Sequence, residues 1–137
     1  MMDFELKDGE QVRTKRALIA SATVIEPGDL VTLDANKLII KAVDASTALA
    51  WCPNGSANGE TVCEVTVGND FTLKGKGDAV FAVTQKGTEV DVVVTGGVQL
   101  IDVGASVTDV LKVAIGEDAG VVGSADDIEV KINKPLF

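Results

Sequence analysis

The sequence of 137 residues contains no histidine and no tyrosine, only two cysteines and a single tryptophan. Without histidine, the chain cannot build a Ser-His-Asp or Cys-His triad, and it cannot bind zinc through imidazole. Two cysteines are too few for a tetrahedral thiolate site. Because these absences remove the most common catalytic designs, we expect a protein that is not an enzyme and that holds neither a metal ion nor a cofactor.

Positive charge is also scarce, since 12 lysines and arginines stand against 21 aspartates and glutamates, for a formal net charge of -9. Such a balance disfavours binding to nucleic acid and to anionic membrane surfaces. Gly, Ser and Thr interrupt every apolar stretch before it reaches the length of a membrane span. Residues 1–16 carry eight charges and lack the apolar centre of a secretory signal. We therefore expect a protein that is made in a cytoplasm.

The sequence is rich in β-branched side chains, since Val, Ile and Thr make up 40 residues, 21 of them Val. Such side chains suit the pleated surface of a sheet and lose rotamer freedom in a helix. Turn-forming Gly, Asn and Asp divide the chain into short apolar runs. The pattern predicts an all-β sandwich or barrel, and the length fits a single domain.

The apolar runs give the positions of the predicted strands. They cover residues 17–25, 30–33, 38–43, 48–52, 61–67, 71–73, 90–94, 98–103, 110–115 and 128–132. Residues 78–86, from Asp78 to Lys86, are the best candidate for a helix, because Asp78 can cap its first turn and Gly87 can end it. Valines in this segment favour a strand almost as strongly, so both interpretations stay open.

The distribution of charge divides the chain into an N-terminal arm, residues 1–16, and a single β-domain, residues 17–137. The arm holds four acids and four bases, so all of the net negative charge lies in the domain. Its last residues form the basic cluster Arg13-Thr14-Lys15-Arg16. Two interpretations of this cluster stay open, a solvated lead-in or an arm that docks on a neighbouring protein.

Few residues are candidates for chemistry. Cys52 and Cys63 flank a loop with two Asn-Gly steps, and they form either a disulfide at the neck of a hairpin or two buried, inert thiols, which a reducing cytoplasm favours. Trp51 is expected as an anchor in the core or at an interface. The glycine-rich segments match no phosphate-binding pattern. Four aspartates of the predicted loops do not have the spacing of ligands in a calcium-binding loop; they are Asp70, Asp78, Asp126 and Asp127.

The order of strand and turn residues resembles a known family. The stretches that carry the resemblance are ALIASATVIEPGDLVTLD at 17–34, LIIKA at 38–42, VQLIDVGASVTDVLKV at 98–113 and EVKINK at 129–134. The chain resembles a capsid decoration protein (a head-stabilising or cement protein) of tailed double-stranded DNA bacteriophages over most of residues 17–134. The shared motifs are strand-and-turn patterns and not chemical signatures.

The resemblance implies a homotrimer that binds the major capsid protein on the outside of the virion, at three-fold and quasi-three-fold positions. It also implies a small β-barrel-like or β-tulip domain, and we expect an extended N-terminal arm and at most one or two short helices. In related proteins the arm commonly reaches onto the capsid lattice or a neighbouring trimer. The residues that we expect to contact a partner are Phe4, Leu6, Val12, Arg13, Lys15, Arg16 and Trp51.

Two alternative functions stay open. One is another structural part of the virion, such as a head fibre base or a tail component. The other is a β-barrel that binds a small ligand or a glycan, although an aromatic content of 4% offers few rings for stacking on sugars.

Overall fold

The computed structural model describes residues 2–9 and 12–137. The described residues form short strands and two single turns of 3-10 helix, Val83–Gln85 and Glu117–Ala119. The strands are β1 (Phe4–Gly9), β2 (Thr14–Leu18), β3 (Asp29–Leu33), β4 (Ile39–Lys41), β5 (Ala50–Cys52), β6 (Val62–Thr66), β7 (Phe71–Gly75), β8 (Glu89–Thr95), β9 (Val98–Asp102), β10 (Leu111–Val113) and β11 (Ile128–Ile132). No helix in this part of the chain has the length and hydrophobicity to span a bilayer.

The strands pair into three sheets with antiparallel neighbours. The largest has six strands in the order β1-β7-β11-β10-β8-β9, a second has the order β4-β3-β5, and a third consists of β2 and β6. The prediction of a mainly β domain with at most two short helices is therefore confirmed. Across the described residues the sheets do not close into a barrel.

The three-stranded sheet is buried on both faces, which is why adjacent residues of its strands are apolar, as in Leu30-Val31 and Ile39-Ile40. On β3, Leu30 packs into a large core with the six-stranded sheet, whereas the next residue, Val31, packs into a small core with β2 and β6. On β5, Trp51 and Cys52 divide between the same two cores. Because successive side chains of a strand point to opposite faces, this sheet forms the middle layer of the molecule.

The predicted strands recur with shifted ends, and two segments differ from their predictions. The strand predicted for residues 17–25 ends at Leu18, and Ala22 lies in a turn with a φ of 56°. Residues 78–86 contain one turn of 3-10 helix and no longer helix. Their backbone amides bond to distant segments, since Asp78 donates to the carbonyl of Ile101 and Phe81 to that of Ser124. These bonds replace the bonds that a helix would form within itself.

The described part of segment 1–16 belongs to the domain, which corrects the prediction of an extended arm. Strand β1 pairs with β7 at one edge of the six-stranded sheet, and the side chain of Phe4 is fully buried. The Phe4 ring lies against Gly75, where a Cβ atom would come within 2.5 Å of it. Strand β2 likewise pairs with β6. The eight charges of this segment are typical of a solvated arm, which is why the sequence pattern did not predict its strands.

Two buried polar side chains connect the layers. The Gln99 side chain on β9 accepts a hydrogen bond from the amide of Leu30 at 2.7 Å and donates one to the carbonyl of the same residue at 2.8 Å. The Trp51 indole on β5 donates to the carbonyls of Phe4 at 3.2 Å and of Gly28 at 3.0 Å. An unpaired buried polar group costs free energy, so these bonds fix the sheets in one relative position.

We predict that Gln99→Leu lowers the free energy of unfolding by about 1–3 kcal/mol, because it leaves the buried amide of Leu30 without a partner. It also removes one of the two hydrogen bonds to the Leu30 carbonyl, whose other donor is the amide of Ala42. Urea denaturation monitored by tryptophan fluorescence measures the change. Val98→Ser, at the exposed neighbouring position, is the control and should change the value by about 0.5 kcal/mol or less. A Gln99→Leu variant as stable as the unaltered chain would contradict this role.

Candidate functional site

The first candidate surface is the basic strand, which we define as Arg13, Lys15 and Arg16 on or beside β2. All three side chains are exposed, as is Leu18 at the end of β2. Within the described residues β6 is the strand's one sheet neighbour, so along its other edge β2 has no strand partner. A strand edge of this kind can accept an extended segment of another chain through backbone hydrogen bonds.

The positive charges of the basic strand are only partly compensated. The Lys15 Nζ lies 4.6 Å from the centroid of the Phe137 ring, in a cation–π contact. Arg16 lies opposite Glu64 in the register of β2 and β6. None of the three basic residues makes an ion pair of 4 Å or less with a described residue. The charges remain available to an acidic partner.

The structure separates the residues that we expected to contact a partner. Phe4 and Trp51 are 0% and 5% exposed, because both pack in the large core, and this corrects their assignment as contact residues. Val12 is half-buried against the same core. Leu6 lies on the surface of β1, and the basic residues lie on β2, a different sheet. The predicted set therefore does not form one continuous site.

A second candidate surface was missed by the sequence analysis. The apolar patch consists of exposed side chains on two adjoining segments: Val80, Val83, Ile115, Val121 and Val122. Phe81 and Val122 form a bridge between the segments, and the amide of Gly87 bonds to the carbonyl of Val113. A group of exposed apolar side chains is typical of a protein contact surface. The sequence feature that could have indicated this surface is the pair of valines at 121 and 122, which lie in a glycine-rich turn and not in a strand.

Carboxylates gather where β8 and β9 pair, since Asp91 lies directly opposite Asp102. Burial raises the pKa of the Asp91 carboxyl, but hydrogen bonds from the backbone amides of residues 107–109 outweigh it, so this pKa lies below its usual value. Burial, a hydrogen bond with Asp78 and the neighbouring negative charges raise the pKa of Asp102. The two ionised carboxylates therefore have opposite effects on stability. Asp91 stabilises the fold by accepting hydrogen bonds from the loop, whereas Asp102 destabilises it because it is partly buried near other negative charges.

Two of the surface depressions among the described residues are strongly charged, whereas a third, beside Ile115, is largely apolar. No group of three or more Cys, Asp or Glu side chains in the described residues is arranged to hold a metal ion. Two surface depressions, of about 310 and 430 Å³, are lined mainly by charged residues such as Lys74 and Asp127. Ligand pockets are usually apolar with a few polar groups, so these depressions resemble ordinary charged surface.

No protein-family model matches this chain, and neither a curated protein nor a solved structure matches it.

The opposite pKa shifts of Asp91 and Asp102 predict opposite effects of neutral substitutions at pH 7. Asp91→Asn should lower the free energy of unfolding by about 1–3 kcal/mol, since it weakens charge-assisted hydrogen bonds to the loop. Asp102→Asn should raise stability, because it removes repulsion from Asp78 and Asp91.

Urea denaturation at pH 7 and at pH 4 distinguishes the two effects. The folded chain binds a proton on Asp102 more tightly than the unfolded chain does. Protonation of Asp102 therefore stabilises the fold fully below the usual Asp pKa of 3.8, and this stabilisation is lost as the pH rises through the raised pKa of the folded state. The advantage of Asp102→Asn should therefore shrink at pH 4. The deficit of Asp91→Asn should persist at pH 4 and disappear only below the lowered pKa of Asp91. Equal responses of both variants would contradict the assignment.

Proposed function

We propose that the chain is a structural virion protein, made in the host cytoplasm, that binds the outside of a bacteriophage head and stabilises the lattice of the major capsid protein. The observation that carries the proposal is the basic strand, a group of positive charges without ion pairs among the described residues, on an edge strand of a protein whose net charge is -9. The resemblance of residues 17–134 to capsid decoration proteins supports the choice of partner.

The charge distribution supports an outward position. An acidic body is repelled by packaged DNA, so it suits the outer surface of the shell better than the inner one. The basic strand can instead turn towards acidic groups of a capsid subunit, and its free edge can pair with an extended capsid segment. The binding surface is therefore the edge of β2, held by its pairing with β6, and not a mobile arm.

The apolar patch is the surface that we assign to contacts between copies in a homotrimer. The negatively charged domains repel each other over most of their surface. The apolar patch carries no charge, and its side chains can be removed from water without breaking hydrogen bonds. Three copies joined in this way present three basic strands to the lattice at once. Because the three sites then act together, weak contacts sum to firm attachment at a junction between capsomers.

We predict saturable binding when the protein is titrated into expanded, undecorated heads of the phage that carries its gene, measured by co-sedimentation. Bound heads should also resist heat better than bare heads. Arg13→Glu/Arg16→Glu should weaken binding at least tenfold, since it reverses two charges on the basic strand. Lys37→Glu/Lys76→Glu changes the net charge equally at exposed positions outside the basic strand, and its affinity should stay near that of the unaltered chain.

Two results would contradict the proposal. One is the absence of binding by the folded, unaltered protein. The other is an equal loss of affinity in both double variants, which would assign the effect to net charge instead of to the basic strand. Binding to tails and not to heads would support the alternative of a tail component.

We predict that sedimentation equilibrium gives the mass of three chains. Ile115→Asp/Val121→Asp should yield monomers with an unchanged circular dichroism spectrum, because the two side chains are 73% and 67% exposed and contribute little to the core. Val24→Asp, which adds a charge at an exposed valine outside the patch, should remain trimeric. A trimeric double variant would exclude the patch from the contact between copies.

A further inference from the structure

Cys52 and Cys63 are free thiols that lie together in the small core. Cys52 ends β5 and Cys63 lies on β6, so the pair encloses the loop of residues 53–62. The two strands are held side by side, since the amide of Trp51 donates a hydrogen bond of 2.8 Å to the Thr66 hydroxyl. Both side chains belong to the same buried cluster, and each thiol shifts the pKa of the other. The fold has therefore brought close together two thiols that the sequence places eleven positions apart.

The two thiols differ in their access to solvent. Cys52 is fully buried, whereas Cys63 borders a surface depression of about 420 Å³. The depression is also lined by Asn54, Glu60 and the basic residue Arg16. A small polar oxidant can therefore approach Cys63 from solvent, whereas Cys52 has no exposed surface.

We propose that Cys52 and Cys63 form a reversible redox site, in which a peroxide oxidises Cys63 and Cys52 then closes an intramolecular disulfide. This site is independent of the proposed capsid function. Its oxidised form joins the ends of β5 and β6 across the enclosed loop, next to the basic strand.

The steps balance with one molecule of hydrogen peroxide. The Cys63 thiolate attacks one peroxide oxygen, so an S–O bond forms, the O–O bond breaks, and the released hydroxide takes up a proton to become water. The Cys52 sulfur loses its proton and attacks the Cys63 sulfur, so an S–S bond forms and the S–O bond breaks, releasing a second water. Two thiols are oxidised by two electrons, and the peroxide is reduced to two waters.

The unequal access of the two thiols to solvent sets the order of these steps. Cys63 borders the depression through which peroxide arrives, whereas Cys52 has no exposed surface. The pKa shifts agree with this order, since interaction with Cys52 lowers the pKa of Cys63, and interaction with Cys63 together with burial raises the pKa of Cys52. Since the thiolate is the nucleophile, Cys63 reacts first and Cys52 acts as the resolving thiol.

The test is oxidation of the folded, full-length protein with equimolar hydrogen peroxide, followed by intact mass spectrometry and a non-reducing peptide map. We expect a monomer that has lost two hydrogens, with a peptide linking Cys52 to Cys63, and recovery of both thiols with dithiothreitol. The melting temperature should rise by about 5–10 °C, since the cross-link restricts the unfolded chain.

Single variants test the order of the steps. In Cys52→Ala, peroxide should convert Cys63 to a sulfenic acid that dimedone labels, whereas in Cys63→Ala the remaining Cys52 should stay unlabelled. Labelling of Cys52 would overturn the order. Two free thiols after treatment of the unaltered protein, a disulfide-linked dimer, or a disulfide that forms only in urea would overturn the site itself.

Discussion

The packing of the three-stranded sheet on the six-stranded sheet depends on one buried side-chain amide, that of Gln99. Its oxygen and nitrogen bond to the amide and the carbonyl of Leu30, as a neighbouring strand would. The backbone amide of Gln99 donates a hydrogen bond of 2.9 Å to the carboxylate of Asp3, the residue just before β1. One residue on β9 therefore connects the middle layer to the six-stranded sheet and fixes the start of the chain. Because a buried amide without partners is costly, alternative packings of these layers are disfavoured.

The packing of the layers buries two residues that the sequence suggested as partner contacts. Phe4 and Trp51 are both buried in the large core, and the Trp51 indole donates a hydrogen bond to the backbone carbonyl of Phe4. Both residues therefore belong to the interior. The surface then retains two features that a stable domain does not need, the basic strand and the apolar patch. They lie on different parts of the chain, and they differ in chemistry. For that reason we propose different contacts for the two surfaces: the basic strand binds the capsid, and the apolar patch binds other copies of the chain.

Much of the fold could be predicted from the sequence, because the strands of the middle layer are apolar on both faces and end at recognisable turns. The turn at residues 26–29 is one example, where the amide of Asp29 bonds to the carbonyl of Glu26. Strand β1 could not be found, since one buried Phe4 among charged neighbours gives no clear period. The links made by Gln99 arise between residues distant in sequence, and no local pattern reports them. The closeness of Cys52 and Cys63, in contrast, was one of the arrangements that their positions on either side of a short loop predicted. The apolar patch was overlooked because its valines lie in turns.

We propose that a folded β-domain, and not a free arm, attaches to the outside of a capsid shell. A three-dimensional reconstruction of expanded heads incubated with the protein distinguishes these two modes of attachment. We expect added density at the three-fold and quasi-three-fold positions of the outer surface, into which the domain fits with β2 facing the shell. Density inside the shell or on the tail, or an unchanged shell at saturating protein, would overturn the proposal.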